Sequence, residues 1–387
     1  MRRQIPHELH ETRVKALRAL GHLRPLSDET KYDANKLFLA RRTEAGRNLP
    51  PYYLVYFLLA DLLEFPKGGP FDKTAWSIPV EWQGKAFLID HRKMGLGIFA
   101  QNVEADEAEA KQIAIRIHKA VKAAQPFFDW MASDAIVRSA VNVTNNSSQL
   151  FGRFTFLRGL YFSKREEYER QHQQYRENRR NDPSAYPPYH LASESNWCAI
   201  SAVEAFFAWS EHVLIHVATL TGRITTAAEI SEMAEAEWSK KFRAAFPLQD
   251  AVEKAHYDRL IALRQELRNH VAHGAFGKQG EAFYFHSAAG AVPVLLPHKS
   301  GSRKFRLASG LGFNSRTAFD AMDSFVEFLW AGERAAAKDY IQESELPIIL
   351  TYAKDGTYAN AMSDRETMKR FIQYQIMLQD RATDMDW

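Results

Sequence analysis

Apolar positions in this chain follow two different periods, and the change from one to the other divides it. Val14, Leu17, Leu20 and Leu23 recur every third residue, a loose helical pattern near the start. Tyr52 to Glu64 is a stronger helix, opened by Pro50-Pro51 and stopped by Pro66-Lys67-Gly68-Gly69-Pro70. The period then falls to two. Trp76-Ser77-Ile78-Pro79-Val80-Glu81-Trp82 alternates, Gln83-Gly84 reads as a turn, and Ala86 to Ile89 continues on the far side, so a β-hairpin is expected, extended through Leu96 to Phe99. From Glu104 to Phe128 the helical period returns, with acids in the first turns, Lys119 and Lys122 later, and Ile113, Ile117, Ala120, Val121 and Ala124 on one face.

The second half is helical in pattern. Leu150 to Phe162 is an aromatic helix that runs into a charged stretch, Lys164 to Arg180, and Asn181 to Pro188 is the clearest breaker segment. Two long helices follow, Ser195–Thr221, apolar almost all round and so expected at the centre of a bundle, and Ala251–His273. Strand-like runs are expected at Ala282–His286, Val292–Leu296 and Lys304–Leu307. Thr317 to Asp320 has the form of a capping box opening a helix towards Tyr340; Ile348 to Tyr352 reads as a strand; and Ser363 to Glu366 is a second capping box, opening a terminal amphipathic helix. The pattern divides the chain into an α/β N-terminal domain (1–148), a helical domain (149–345) and a C-terminal strand and helix extension (346–387), mainly α in class.

Composition narrows this only a little. The 387 residues carry 50 Lys+Arg against 47 Asp+Glu, a balance that neither demands nor forbids a polyanionic partner. A single cysteine, Cys198, excludes an internal disulfide framework and a Cys-cluster zinc site, and reads as a small buried hydrophobe. The basic N-terminus has no apolar stretch behind it, and Tyr52 to Phe65, read as the most apolar segment, is too short to span a bilayer. A soluble, cytoplasmic protein is the expectation.

Candidate chemistry lies at the end of the second long helix. In Leu260-Ile261-Ala262-Leu263-Arg264-Gln265-Glu266-Leu267-Arg268-Asn269-His270-Val271-Ala272-His273-Gly274, the residues Leu260, Leu263, Leu267 and Val271 keep helical spacing, and Arg264 and Arg268 share a neighbouring face one turn apart. Five Arg–His pairs with four to six residues between them occur in the chain, so spacing alone says little. Only Arg268/His273 has Asn after the Arg, Ala before the His and Gly after it, at the end of a long amphipathic helix.

That context resembles the HEPN superfamily (higher eukaryotes and prokaryotes nucleotide-binding domains), whose mark is an Arg–polar–x3–His motif late in an all-helical bundle. The helix Trp197–Leu220, with Glu204 and Glu211 embedded in an apolar run, looks like that family's long helix with an acidic residue. The resemblance covers roughly residues 150–345, with the strand-like runs as a small β insertion; no family is recognised for 1–145. It implies a metal-independent endoribonuclease acting on RNA, tRNA among the candidate substrates, at a composite site formed by two motif helices. It also implies a toxin–antitoxin or anti-phage setting, with an antitoxin or regulatory partner, no cofactor and no membrane.

The side-chain chemistry suits that role. His273 titrates near neutrality and can take or return a proton; Arg268 offers a fork of donors to phosphate oxygens; Asn269 can orient the imidazole. One His and one Arg make half a site, so a homodimer supplying the second copy is the economical arrangement. His270 and Arg264 are expected as RNA contacts or supports, His270 alternatively as a surface or interface histidine, and Glu204 and Glu211 either as partners that orient Arg264 or Arg268 or as solvated acids. The alternative is a non-catalytic HEPN-like module that binds RNA, a nucleotide or a protein. His212 and His216 stand one helical turn apart as metal ligands can, but satisfied histidines on a packed helix are the default. Lys164–Arg180, with Tyr168, His172 and Tyr175, reads as an RNA-tracking or simply solvated helix. His91-Arg92-Lys93 is a further candidate RNA contact or a surface turn, and Gly95-Leu96-Gly97 is a fragment of a nucleotide-loop pattern with little weight.

Overall fold

The computed structural model describes residues 5–27, 37, 39–180, 182, 184–271, 284–288, 290–293 and 315–384, with the side chains of 266, 268–271, 284–287, 290–293 and 384 outside the description. Its chain is mainly helical with a small antiparallel sheet. Two compact units are present, Met1–Arg138 with Gln373–Trp387, and Ser139–Ile372, each with its own core.

In the first unit α1 (His10–Leu20) is followed by strands β1 (Leu23–Pro25) and β2 (Arg41–Arg42), then by α2 (Tyr52–Leu62), whose second half is wound as a π-helix. The expected hairpin is β3 (Thr74–Trp82) and β4 (Lys85–Arg92), joined to β5 (Gly95–Ala100). Gln83 and Gly84 both take positive φ, 52° and 80°, the signature of the two-residue turn whose twist matches its strands. The sheet order is β1-β3-β4-β5-β2, antiparallel throughout. The period of two puts Ile78, Val80, Trp82, Phe87, Ile89 and Ile98 on the face that packs against the helices. The other face carries Ser77, Leu88, Asp90 and Phe99, with Leu37 and Ala40 closing a small cluster over Leu88 and Phe99. The expected single helix 104–128 is two, α3 (Val103–Ala123) and α4 (Gln125–Val137), because Pro126 suits the first turn of a new helix.

The second unit is built around two 32-residue helices, α5 (Ser147–Asn178) and α6 (Tyr189–Leu220), with the short strand β6 (Asn142–Val143) ahead of them. The aromatic helix and the charged stretch after it are thus one element. Helix α6 is buried along Val203 to Leu220 except for a few positions, as its uniformly apolar pattern requires. It is the described helix long and apolar enough to cross a membrane by length and composition, in place of Tyr52–Phe65; here it forms the centre of the bundle. Around it lie α7 (Ala227–Glu235), opened by a Thr226/Glu229 capping box, α8 (Trp238–Ala245) and α9 (Ala251–Val271). Buried indole groups stay hydrogen-bonded: Trp238 Nε1 donates to Ser210 Oγ at 2.9 Å and Trp209 Nε1 to Gln342 Oε1 at 3.1 Å.

Strands β7 (Tyr284–Ser287) and β8 (Gly290–Pro293) pair antiparallel, while Lys304–Leu307 lies outside the described residues. Helix α10 (Ser315–Leu329) begins before Thr317, which is therefore inside the helix and not its cap. After α11 (Ala335–Lys338) and a π-turn, the run read as a strand is split: only Ile348–Ile349 is extended, as β9 against β6, and Leu350–Lys354 is helix α12. Gly356, left-handed at φ 86°, precedes α13 (Thr357–Ala361). The last helix, α14 (Arg365–Asp384), is capped by Asp364 and not by Ser363: the Asp364 carboxylate accepts from the N–H groups of Glu366 and Thr367 at 2.9 Å.

Candidate active site

Helix α9 is fixed by its buried stripe, Leu260, Leu263 and Leu267, packed into the bundle core. Arg264 follows Leu263 and so stands at the edge of that stripe, where its guanidinium Nη1 lies 3.0 Å from Glu211 Oε1 on α6. The other oxygen of Glu211 accepts from Lys241 Nζ of α8 at 2.7 Å. One carboxylate thereby ties three helices together. Lys241 is only 5% exposed, and an ammonium at that depth requires its counter-charge. Arg264 also lies over the Phe207 ring, 5.7 Å from its centroid. Its Nη1 is sealed from solvent, and the ion pair to Glu211 does not have hydrogen-bond alignment.

Phe207, Glu211 and Arg264 wall a cleft of about 690 Å³, with Glu204, Glu237 and Trp238 on its other sides. Glu204 is exposed and lies two turns before Glu211 on α6. The expectation that an acid on this helix would hold an arginine of the motif helix is met by Glu211 and Arg264; Glu204 makes no ion pair among the described residues.

Arg268, Asn269 and His270 fall in the last turns of α9, Arg268 about one turn beyond Arg264; their side chains, and the whole of His273, lie outside the described residues. The sequence reading missed Lys241. The signal was present: with Trp238, Phe242 and Ala245 it occupies the buried side of a short helix, and a lysine at such a position implies a carboxylate partner.

The histidine pair on α6 is a packed, neutral pair. His212 Nε2 accepts the Asn146 N–H at 2.9 Å, and His216 Nδ1 lies 2.9 Å from the His212 carbonyl, with the rings 4.1 Å apart. Burial pushes His212 down to about 3, with the neighbouring His216 adding to it, and burial pushes His216 down to about 4. Among the described residues no cluster of three His, Cys, Asp or Glu side chains is arranged to hold a metal. The charged half of α5 carries two pairs of its own, Arg165–Glu169 and Arg170–Glu167, with Tyr168 stacked on His172, while Lys164 pairs with Glu194 of α6. In the first unit His91 stacks on Tyr52, centroids 4.2 Å apart, on the helix-packed face of the sheet, whereas Arg92 points to the opposite face. Gly95-Leu96-Gly97 is the start of strand β5 and forms no phosphate-binding loop.

No protein-family model, curated protein or solved structure matches this chain.

Proposed function

We propose that the protein is a metal-independent endoribonuclease that cleaves RNA at a composite, two-copy HEPN-like site. The observation that carries this reading is the anchoring of Arg264: a cation of the motif helix is held through Glu211 to buried Lys241, at the wall of an open cleft, one turn ahead of Arg268-Asn269. Such an anchor holds α9 against α6 and α8 at Arg264, which supports a functional role for this helix.

In this mechanism His273 takes the proton from the RNA 2′-hydroxyl. The 2′-oxygen attacks the adjacent phosphorus, the 5′-oxygen leaves with a proton, and the product ends in a 2′,3′-cyclic phosphate. Arg268 stabilises the charge that gathers on the phosphorane oxygens. Asn269 orients the imidazole, while Arg264 and His270 hold flanking phosphates. The second acid–base group comes from a second copy of the chain, so the active form is a homodimer. A toxin or anti-phage role in the cytoplasm, restrained by a partner, fits an enzyme of this kind.

The direct test uses purified variants and RNA in EDTA. His273→Ala and Arg268→Ala are each expected to lower cleavage by at least about 100-fold, the scale on which losing an acid–base group or an oxyanion donor acts, with the fold intact by circular dichroism. Cleavage that persists in both variants, or that needs a divalent ion, overturns the mechanism. RNA binding without cleavage by wild type makes this a binding module.

A further inference from the structure

The outer face of the first unit's sheet is built differently from its inner face. Next to the small apolar cluster over Leu88 and Phe99 it opens into a cleft of about 930 Å³. Five cations wall it: Arg42 and Arg47 from one side, Lys73, Arg92 and Lys93 from the β3–β4–β5 side. Two carboxylates, Asp72 and Asp90, oppose them.

Two of these arginines are held in place by the fold. Asp90 is 3% exposed, and both its oxygens are occupied: Ser77 Oγ donates to Oδ1 at 2.6 Å, and Arg92 Nε and Nη2 donate to Oδ2 at 3.0 and 2.8 Å. Arg92 also lies 3.8 Å from the centroid of the Phe99 ring. Asp90 thus fixes Arg92 from below. Among the described residues, Arg42 is held without a carboxylate. Its Nη1 donates to the carbonyls of Met94 and Leu96 at 2.9 and 3.5 Å, and its stem lies flat across β5 at Gly97. A Cβ at Gly97 would come within 2.3 Å of Arg42 Cδ and 2.6 Å of Cγ, so only glycine leaves room for the stem. Carbonyl contacts orient a guanidinium without neutralising it, and its remaining N–H groups are left for an anion.

The rim supplies apolar surface. Phe71, Met94 and Leu39 line the same cleft and are large exposed hydrophobic side chains. A cationic trough edged with apolar and aromatic faces matches a ligand that repeats phosphates and flat bases, which is the chemistry of a single-stranded nucleic acid. We infer that this cleft is a second nucleic-acid contact, which binds the phosphodiester backbone of single-stranded RNA through Arg42, Arg92, Lys73 and Lys93. The choice of RNA as the strand rests on the ribonuclease reading; the anion site itself does not.

The test is fluorescence anisotropy on the full chain carrying His273→Ala, which leaves the probe intact, with a labelled poly(U) oligonucleotide of about a dozen nucleotides. Adding Arg42→Ala with Lys73→Ala is expected to weaken binding at least tenfold. It should also make the dependence of log affinity on log salt shallower by about 0.7 per lost phosphate contact. Gly97→Ala, which displaces the Arg42 stem without removing a charge, is expected to weaken binding in the same direction. Unchanged affinity in both variants overturns the assignment, and so does displacement of the probe by AMP as readily as by unlabelled RNA, which would make this a mononucleotide pocket. If the variants keep full RNA affinity while wild type cleaves RNA through His273, this inference fails alone. If they lose affinity while wild type cleaves nothing, the ribonuclease reading fails alone.

Discussion

Glu211 is the residue on which the candidate site depends. It answers a lysine that is nearly sealed from water and an arginine whose Nη1 is also covered. Removing its charge leaves Lys241 buried without a counter-ion, the costly half of breaking such a pair. Glu211→Gln is therefore expected to lower unfolding free energy by about 1–3 kcal/mol, below the range for fully buried pairs because Glu211 keeps partial solvent contact. Adding Lys241→Met to that variant should recover most of the loss; urea denaturation of the single and double variants measures both.

The His212/His216 pair makes a second prediction at this scale. Both folded values lie below the ordinary histidine value of 6.5, at about 3 and about 4, so the unfolded chain binds more protons in that window. Their contribution to stability is full above about pH 6.5 and is lost as pH falls towards 4 and 3. Unfolding free energy measured from pH 7 to pH 4 should fall, and the fall should be shallower in His212→Gln, which keeps an acceptor for the Asn146 amide. An equal slope in the variant contradicts this account.

Elements whose burial follows a simple period were legible before any coordinates. The β3–β4 hairpin, its Gln83-Gly84 turn and the all-apolar α6 follow from alternation, turn chemistry and uniform hydrophobicity. Boundaries set by single caps were not, because competing caps sit side by side: Asp364 captures the start of α14 although Ser363 fits the same motif, and α10 begins ahead of Thr317. Ile348 to Tyr352 misled for a related reason. Its β-branched and aromatic residues favour extension, yet only two residues find a strand partner, β6, and the rest coil into helix α12.

The paired glycines of β5 show the same limit. As a pattern they were a fragment of a nucleotide loop with little weight, and only the pairing of β2 with β5 reveals that Gly97 lies under an arginine stem from β2. Since a Cβ there meets a flexible side chain more than rigid backbone, Gly97→Ala should leave the melting temperature within a few degrees of wild type. A large loss of stability would show that the contact is a packing requirement of the sheet.

At the scale of the whole molecule, the chain has two separate cores. The unit of residues 139–372 carries the motif helix and its anchor, and the unit of 1–138 with 373–387 carries the cationic outer sheet face. The Arg268-Asn269-x3-His273 pattern can be picked out because its residues lie close together in the sequence, whereas the outer face cannot, since Arg42 and Arg92 are 50 residues apart and meet only through strand pairing. The proposed composite site requires two copies, so sedimentation equilibrium at micromolar concentration should give twice the 44.3 kDa chain mass; a strictly monomeric, active protein would exclude the two-copy mechanism.

The most direct test of the central claim is chemical. Wild type and His273→Ala are incubated with total RNA in EDTA, and the ends of the products are mapped. Discrete fragments ending in 2′,3′-cyclic phosphate, from wild type alone, are the predicted result. The same fragments from His273→Ala, or ends bearing a 3′-hydroxyl, would contradict it.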